Sequence, residues 1–279
     1  MRHLYEHVYS FSHLMTNDIL LLYIILGALQ GFLEWLPISS SAQVTILGAF
    51  LGLKIVESLE FAFFLHIASG FAALFYLRNN VREIIFNDTI HNLNSRLAKL
   101  SIATLISFLI ALPVDHFLMD FLENLDLNSV MCIIGILLIV TGILMMKGGG
   151  KALKEEPTFH DLIVAGILQG FSILPGISRS GITFSALLIM GVKEDKALIW
   201  SYLMGIPAVI AAGFYNFLRI SFNVSIICIV SSALMAFVFG ILSIDTMLRL
   251  SRKMNYEHLT ISLGILYIIL FIFSLLFQH

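Results

Sequence analysis

The chain of 279 residues is too apolar for a water-soluble protein, because 59% of its residues are hydrophobic and only 12% are charged. Soluble domains carry about 25% charged residues, so most of this surface must face lipid. The net charge of −2 argues against a nucleic-acid partner, which would need a concentrated basic face. The two cysteines, Cys132 and Cys228, lie within apolar runs and indicate neither a disulfide framework nor a metal site.

Ten apolar segments follow one another along the chain. In order they are Ile19–Leu36, Ala42–Leu53, Leu59–Leu77, Leu97–Phe121, Ser129–Met146, Leu162–Leu174, Gly181–Val192, Ala197–Leu218, Val224–Met247 and Leu259–Phe277. The third, fourth, fifth, eighth, ninth and tenth are long enough to span a bilayer. The second, sixth and seventh are too short, and short helices beside a Pro/Gly/Ser break are typical of re-entrant hairpins. The sequence therefore predicts an all-α integral membrane protein, a single membrane domain over residues 1–279 with six full spans and two re-entrant pairs.

The two breaks are similar to each other. Residues Leu26–Val44 align without a gap with Ala165–Thr183 at one offset, 165 − 26 = 139, and share Gln-Gly-Phe followed by Ile-Ser-x-Ser. Each copy precedes three full spans, and an odd number of crossings turns the second half upside down. We predict an inverted-topology repeat with halves at about 19–147 and 158–279, each a re-entrant hairpin plus three transmembrane helices.

Lysine and arginine are concentrated on the side of the membrane opposite the N-terminus, for example in the cluster Lys147, Lys151 and Lys154. An excess of these residues marks the cytoplasmic side. The pattern predicts a multi-pass protein of the plasma membrane with both termini outside.

The second break places an arginine among hydroxyls at membrane depth, where polar groups are costly and usually functional. A guanidinium suits phosphate oxygens, and a helix opening at Gly181 would add backbone N–H donors. The alternative is a capped loop whose arginine pairs with a carboxylate for structural reasons only. The neighbouring hydroxyls favour phosphate binding. The residues of this break are Gly176, Ser178, Arg179, Ser180 and Thr183.

The first break supplies the opposite charge. Gln30 and Glu34 are four residues apart and so lie on one helix face. Glu34 could bind a divalent cation, act as a general base, or hold Arg179. The run Ser39, Ser40 and Ser41 offers a nucleophile or donors to phosphate, although a serine-rich turn alone is usually a helix cap.

The two breaks resemble the signature regions of the undecaprenyl-pyrophosphate phosphatase family, also called the bacitracin-resistance family. One signature is Glu/Gln-x-x-x-Glu followed by Pro-x-Ser-Ser, and this chain has the accepted Gln variant at Gln30. The other, Pro-Gly-x-Ser-Arg-Ser-Gly-x-Thr, is matched by Pro175–Thr183. The similarity runs over nearly the whole chain. It implies release of one phosphate from a C55-type polyprenyl pyrophosphate on the outer face, with the active site facing outward. This reaction recycles the lipid carrier for cell-envelope glycan synthesis.

The resemblance also implies residue roles. The expected catalytic residues are Glu34, Ser39, Ser40 and Arg179. Glu34 would either bind an assisting Mg²⁺ or Ca²⁺ or activate the nucleophile. The expected substrate-binding residues are Gln30, Ser41, Gln43, Gly176, Ser178, Ser180 and Thr183. The expected partners are the polyprenyl pyrophosphate and membrane lipids, and the oligomeric state is open, with a homodimer as one candidate.

The chain departs from the family pattern at Gln43, where a histidine usually follows the paired serines. An amide cannot exchange a proton near neutral pH, so proton transfer falls to Glu34 alone or to a metal-bound water, or else the activity is reduced. His66, a lone histidine in an apolar segment, is interpreted as a packing residue outside the site.

A transporter or flippase of the lipid carrier is the competing hypothesis, because inverted repeats with broken helices are transporter architecture. A buried Glu34–Arg179 pair would suit a gate as well as an enzyme. The hydroxyls on both sides of Arg179 favour the phosphatase.

Overall fold

The computed structural model describes residues 2–92, 94–147, 154–219, 225–250 and 255–277. Within these ranges the fold is helical. The helices are α1 Arg2–Glu34, α2 Ser40–Phe50, α3 Ile55–Tyr76, α4 Arg78–Asn87, α5 Arg96–Leu122, α6 Leu127–Met146, α7 Phe159–Gly170, α8 Arg179–Ile189, α9 Glu194–Phe217, α10 Ile226–Leu250 and α11 Tyr256–Phe277. Lys151 and Val224, which entered the charge pattern and the ninth predicted segment, lie outside the described residues.

Six helices in the described part of the chain are long and apolar enough to cross a membrane: α3, α5, α6, α9, α10 and α11. They are the same six segments that the apolar runs predict, so the prediction of a multi-pass helical membrane protein is confirmed. Cys132 and Cys228 are both free, and Cys228 is buried.

Helix α4 was not predicted. Its ten residues are mostly polar, and the longest apolar stretch among them is only Ile84–Phe86, so no apolar run marks it. Arg78 lies over the ring of Phe75, and Phe86 is exposed. At the following corner, a side-chain hydrogen bond from Arg96 holds the pKa of Asp88 below its usual range.

Helix ends at the two breaks differ from the predicted segments for local reasons. Helix α1 ends at Glu34, because Pro37 disfavours helical backbone just before it. Helix α7 ends at Gly170 and passes into a 3₁₀ turn, Phe171–Ile173. Helix α8 begins at Arg179, so the expected start at Gly181 is wrong.

Glycines allow each broken helix to contact a long span closely. A Cβ on Gly27 of α1 would lie 2.2 Å from the carbonyl oxygen of Ser232 in α10, and one on Gly166 of α7 would lie 2.6 Å from that of Ala103 in α5. Side chains at these positions would separate the helices. The contacts therefore hold α1 on α10 and α7 on α5, with the two breaks between them.

Candidate functional site

Glu34 is the last residue of α1 and lies at the centre of a buried hydrogen-bond cluster. One carboxylate oxygen, Oε1, accepts from Arg179 Nη2 at 2.8 Å. The other, Oε2, accepts from Gln30 Nε2 at 2.8 Å and from Ser40 Oγ at 2.6 Å. Only 6% of Glu34 is exposed, and a buried carboxylate needs such partners to remain charged.

Arg179 is the first residue of α8 and faces Glu34 from the second break. Its guanidinium carbon lies 4.4 Å from the centre of the Trp35 ring, close enough for a cation–π contact. On its other side, a Cβ on Gly205 of α9 would lie 2.1 Å from Nη1. Arg179 Nε and Nη1 are buried without a hydrogen-bond partner among the described residues. Two donors are therefore left for a ligand.

The tips of the two breaks are joined directly. Ser39 Oγ accepts from the backbone N–H of Gly176 at 3.0 Å, and Ser180 Oγ donates to the carbonyl of Leu36 at 3.0 Å. Ser39 adopts φ 59° and Gly176 adopts φ 108°. A left-handed serine is uncommon and is kept only where the surroundings hold it, so the Ser39–Gly176 contact is specific.

Ser178 and Thr183 support α8. Ser178 Oγ caps the helix by accepting from the N–H of Gly181 at 3.2 Å, which occupies the donor expected to bind an anion. Thr183 Oγ1 donates to the carbonyl of Arg179 at 2.8 Å and contacts Ser201 Oγ at 2.6 Å. Both hydroxyls therefore help to fix the position of the arginine.

His66 belongs to the cluster, and its interpretation as a packing residue outside the site is wrong. Its Nε2 lies 3.0 Å from Glu34 Oε2, and its Nδ1 is buried without a partner among the described residues.

Gln43 points away from the cluster. Its Nε2 donates to the carbonyl of Ile38 at 3.4 Å, and its Oε1 accepts from the hydroxyl of Tyr267 in α11. The position where the family usually has a histidine is thus occupied by an amide held between α2 and α11.

A cavity opens beside the Glu34–Arg179 pair. Of the residues proposed from the sequence, its walls include Glu34, Ser39, Ser40, Ser41, Ser178 and Arg179, together with His66. Gln30, Gln43, Gly176, Ser180 and Thr183 are not in its walls; Gln30 touches Glu34, and Gly176 touches Ser39. Apolar walls are supplied by Phe63, Phe108, Ala111, Ala208, Val209 and Ala212.

A second polar surface of the cavity was missed in the sequence. We call Ser107, Gln169 and Ser172 the neutral wall. Gln169 Nε2 donates to Ser107 Oγ at 3.0 Å, which joins α7 to α5. Gln169 aligns with Gln30 at the repeat offset, and that match was the available signal.

The described residues do not form a cation cage. None of them bring three His, Cys, Asp or Glu side chains together. Glu34 is the one acid among the described cavity residues, and both its oxygens already accept hydrogen bonds. Mg²⁺ and Ca²⁺ require several oxygen ligands. The side chains alone therefore do not fit a resident divalent cation.

Comparison with known proteins agrees with the motifs. Residues 23–269 match the family described as Bacitracin resistance protein BacA. A protein of Methanococcoides burtonii named undecaprenyl-diphosphatase is 35% identical over 257 residues, which cover 87% of this chain and 95% of the relative. One of the same name from Sulfurisphaera tokodaii is 34% identical, covering 91% and 97%. With most of both chains covered at these identities, the protein belongs to the bacitracin resistance protein family.

Proposed function

We propose that the protein hydrolyses a polyprenyl pyrophosphate of the undecaprenyl type to the monophosphate and inorganic phosphate, and so recycles a lipid carrier. The observation that carries the proposal is the buried Glu34–Arg179 pair, with Ser40 donating to the same carboxylate, in the wall of a cavity within a membrane protein. The names of the relatives supply the substrate class.

Arg179 binds the diphosphate. Its free Nε and Nη1 donors suit two phosphate oxygens, and its contacts with Trp35 and Glu34 fix the plane of the guanidinium in advance. The same donors stabilise negative charge that develops on the transferred phosphoryl group.

Ser40 is the nucleophile in this proposal, with Glu34 as its base. The Ser40 hydroxyl donates to Glu34 at 2.6 Å, whereas Ser39 Oγ accepts from Gly176 and fixes the tip. A hydroxyl is a weak nucleophile until an adjacent base accepts its proton. This difference in hydrogen bonding supports separate roles for the two serines, which the motif alone leaves open.

His66 supplies the imidazole that the chain lacks at Gln43. It contacts Glu34 through Nε2 and lines the cavity, so Nδ1 is available for proton exchange with substrate or water. Glu34 then shares the proton transfers with His66, and no metal-bound water is required for them.

The dependence on Mg²⁺ or Ca²⁺ that the resemblance implies stays a prediction. Because the side chains do not form a cage, we propose that the cation arrives bound to the diphosphate oxygens of the substrate. The apolar wall with Phe63, Phe108 and Val209 is suited to the first isoprene units.

We also propose the inverted repeat and re-entrant hairpins as the architecture. Gly70 of α3 packs on Ile210 of α9, and Gly213 of α9 packs on Ile67 of α3. Gly70 corresponds to Gly213, and Ile67 to Ile210, at a shared sequence offset, so the two contacts are equivalent. Gly135 and Gly264 likewise face each other's carbonyls between α6 and α11. Such exchanged contacts support two equivalent halves.

The orientation, with both termini outside and the site facing outward, rests on the charge pattern. Replace Cys132 and Cys228 by alanine and introduce a cysteine at Glu123 or at Asn94. In intact cells, an impermeant thiol reagent should label the first and not the second; the reverse pattern would invert the orientation. A homodimer also stays a prediction, to be checked by the mass of the detergent complex.

The central experiment measures phosphate release from C55 polyprenyl pyrophosphate by purified protein in detergent, with and without EDTA. Wild type should release phosphate, and Arg179→Ala should not. Arg179→Lys keeps the charge but loses the bidentate fork, so we expect kcat/KM to fall on the order of 10²-fold.

Each negative outcome would contradict a different part of the proposal. Folded wild-type protein that releases no phosphate above the Arg179→Ala background would favour the transport hypothesis. Near-normal kinetics in Arg179→Lys would leave the phosphatase standing but remove the phosphate clamp. Phosphate release that is unchanged by EDTA would contradict only the predicted dependence on a divalent cation.

A further inference from the structure

The neutral wall contains a buried acceptor that the proposed function does not use. Ser107 Oγ lies 2.8 Å from the carbonyl oxygen of Ala103 and 3.0 Å from that of Gly166, so its hydrogen is donated to a carbonyl. A lone pair remains for Gln169 Nε2 at 3.0 Å. This arrangement fixes the amide, and Gln169 Oε1 is left without a partner among the described residues.

The chemistry of the unpartnered atoms in the cavity distinguishes two kinds of ligand. Arg179 presents free donors, which suit phosphate oxygens. Gln169 Oε1 is an acceptor, and so is His66 Nδ1 when Nε2 donates to Glu34. An ionised phosphate only accepts, so it cannot satisfy these two atoms. A water molecule has two hydrogens to donate and leaves a lone pair for attack.

We propose that Gln169 Oε1 holds the water molecule that completes the hydrolysis. This inference rests on the proposed function and on Ser40 as the nucleophile. Gln169 is then a water-positioning residue, and Ser107 keeps its amide in the required orientation. The second break therefore contributes to both halves of the reaction, through Arg179 and through the helix that precedes it.

The reaction has two steps, and each forms one P–O bond and breaks another. Ser40 Oγ bonds to the terminal phosphorus, the bond from that phosphorus to the bridging oxygen breaks, and polyprenyl monophosphate leaves; the serine proton passes to Glu34. The water oxygen then bonds to the same phosphorus, and the bond to Ser40 Oγ breaks. Glu34 returns its proton to Ser40. One hydrogen of the water stays on the released phosphate, and the other passes through His66 Nδ1 to solvent.

A defect confined to the water step has a specific kinetic signature. When the second of two steps limits turnover, kcat and KM fall together, while kcat/KM reports the first step and is unchanged. The phosphoenzyme accumulates and the first product appears in a burst. A packing defect in the cavity would lower kcat/KM instead.

The test compares wild type with Gln169→Met, a substitution of similar size without the acceptor. The substrate is C55 polyprenyl pyrophosphate labelled with ³²P at the terminal phosphate. We expect kcat about tenfold lower, the effect of one lost hydrogen bond, with KM lower by the same factor. Polyprenyl monophosphate should appear in a burst equal to the enzyme concentration. The ³²P label should also be found on the protein, and the additional substitution Ser40→Ala should abolish that labelling.

Two further variants complete the design. Ser107→Ala removes the group that orients the amide and should give the same pattern more weakly, which keeps the inference testable if Gln169→Met does not fold. Asn216→Leu is the matched control, because Asn216 is also a buried amide with an unpartnered oxygen but is not in the cavity walls; its kinetics should match wild type.

Equal loss of kcat and kcat/KM in Gln169→Met, or absence of a burst, would overturn the role of Gln169 while leaving an active wild type. An inactive wild type would instead contradict the proposed function itself.

Discussion

The two breaks have closely related sequences and opposite charges. They share Gln-Gly-Phe and Ile-Ser-x-Ser, but Glu34 in the first stands where Ile173 stands in the second, and Ser40 stands where Arg179 stands. The shared glycines make close helix contacts, and the two charged residues that differ, Glu34 and Arg179, meet each other at the cavity. The two breaks therefore share a framework that places their side chains, and two of the positions at which they differ supply the charged residues and the proposed nucleophile.

The most severe way to break this comparison is to remove the charge of the first break. In Glu34→Gln the base is lost and Arg179 loses its ionised partner. We expect kcat to fall about 10³-fold, within the range of a general base. The measurement is phosphate release by protein whose thermal unfolding and elution profile in detergent are recorded. Activity within tenfold of wild type would show that the carboxylate is not the base.

The second prediction concerns a residue outside both breaks. His66→Phe keeps an aromatic ring beside Phe63 but removes both nitrogens near Glu34. If His66 carries protons for the first break, kcat should fall about 10²-fold. His66→Gln keeps a donor for Glu34 and serves as the control. Recovery of activity in His66→Gln would reduce His66 to a hydrogen-bond donor that positions the carboxylate.

The spans and the breaks could be predicted from sequence, because long apolar runs and Pro/Gly/Ser interruptions are local signals. The meeting of Glu34 with Arg179 followed from two breaks of opposite charge. His66 and Ser107 could not be placed, because an apolar helix does not reveal which of its faces meets which neighbour. Gln169 was marked only by its match to Gln30 at the repeat offset. Helix α4 was missed because its polar and charged residues leave no apolar run long enough to mark a helix.

The third prediction concerns the surroundings of the second break. In Gly205→Ala the new methyl group would lie 2.1 Å from Arg179 Nη1, at the flexible end of a side chain. The guanidinium should move away from Gly205, which disturbs its hydrogen bond to Glu34. We therefore expect kcat/KM to fall about tenfold, the effect of a weakened charged hydrogen bond, with little loss of thermal stability.

Gly213→Ala in the same helix is the matched control. Its methyl group would lie 2.7 Å from the backbone nitrogen of Ile67, which cannot move easily. It should lower thermal stability in detergent, and the protein that remains folded should keep its kcat/KM. If both variants lost activity and stability in parallel, Gly205 would be a packing position with no specific relation to Arg179.

The smallest effect is expected at Gln43. This position tests whether a residue that differs between the two breaks matters when its side chain lies outside the cavity. Gln43 also differs between the breaks, with Ile182 opposite it, and it stands where the family usually has histidine. Its side chain is held by Ile38 and Tyr267 outside the cavity walls. We therefore expect Gln43→His to change kcat by less than about threefold, since an imidazole held there reaches no reacting atom. Steady-state phosphate release checks this. A rise of tenfold or more would mean that the side chain at position 43 turns into the cavity, and that His66 does not replace the missing histidine.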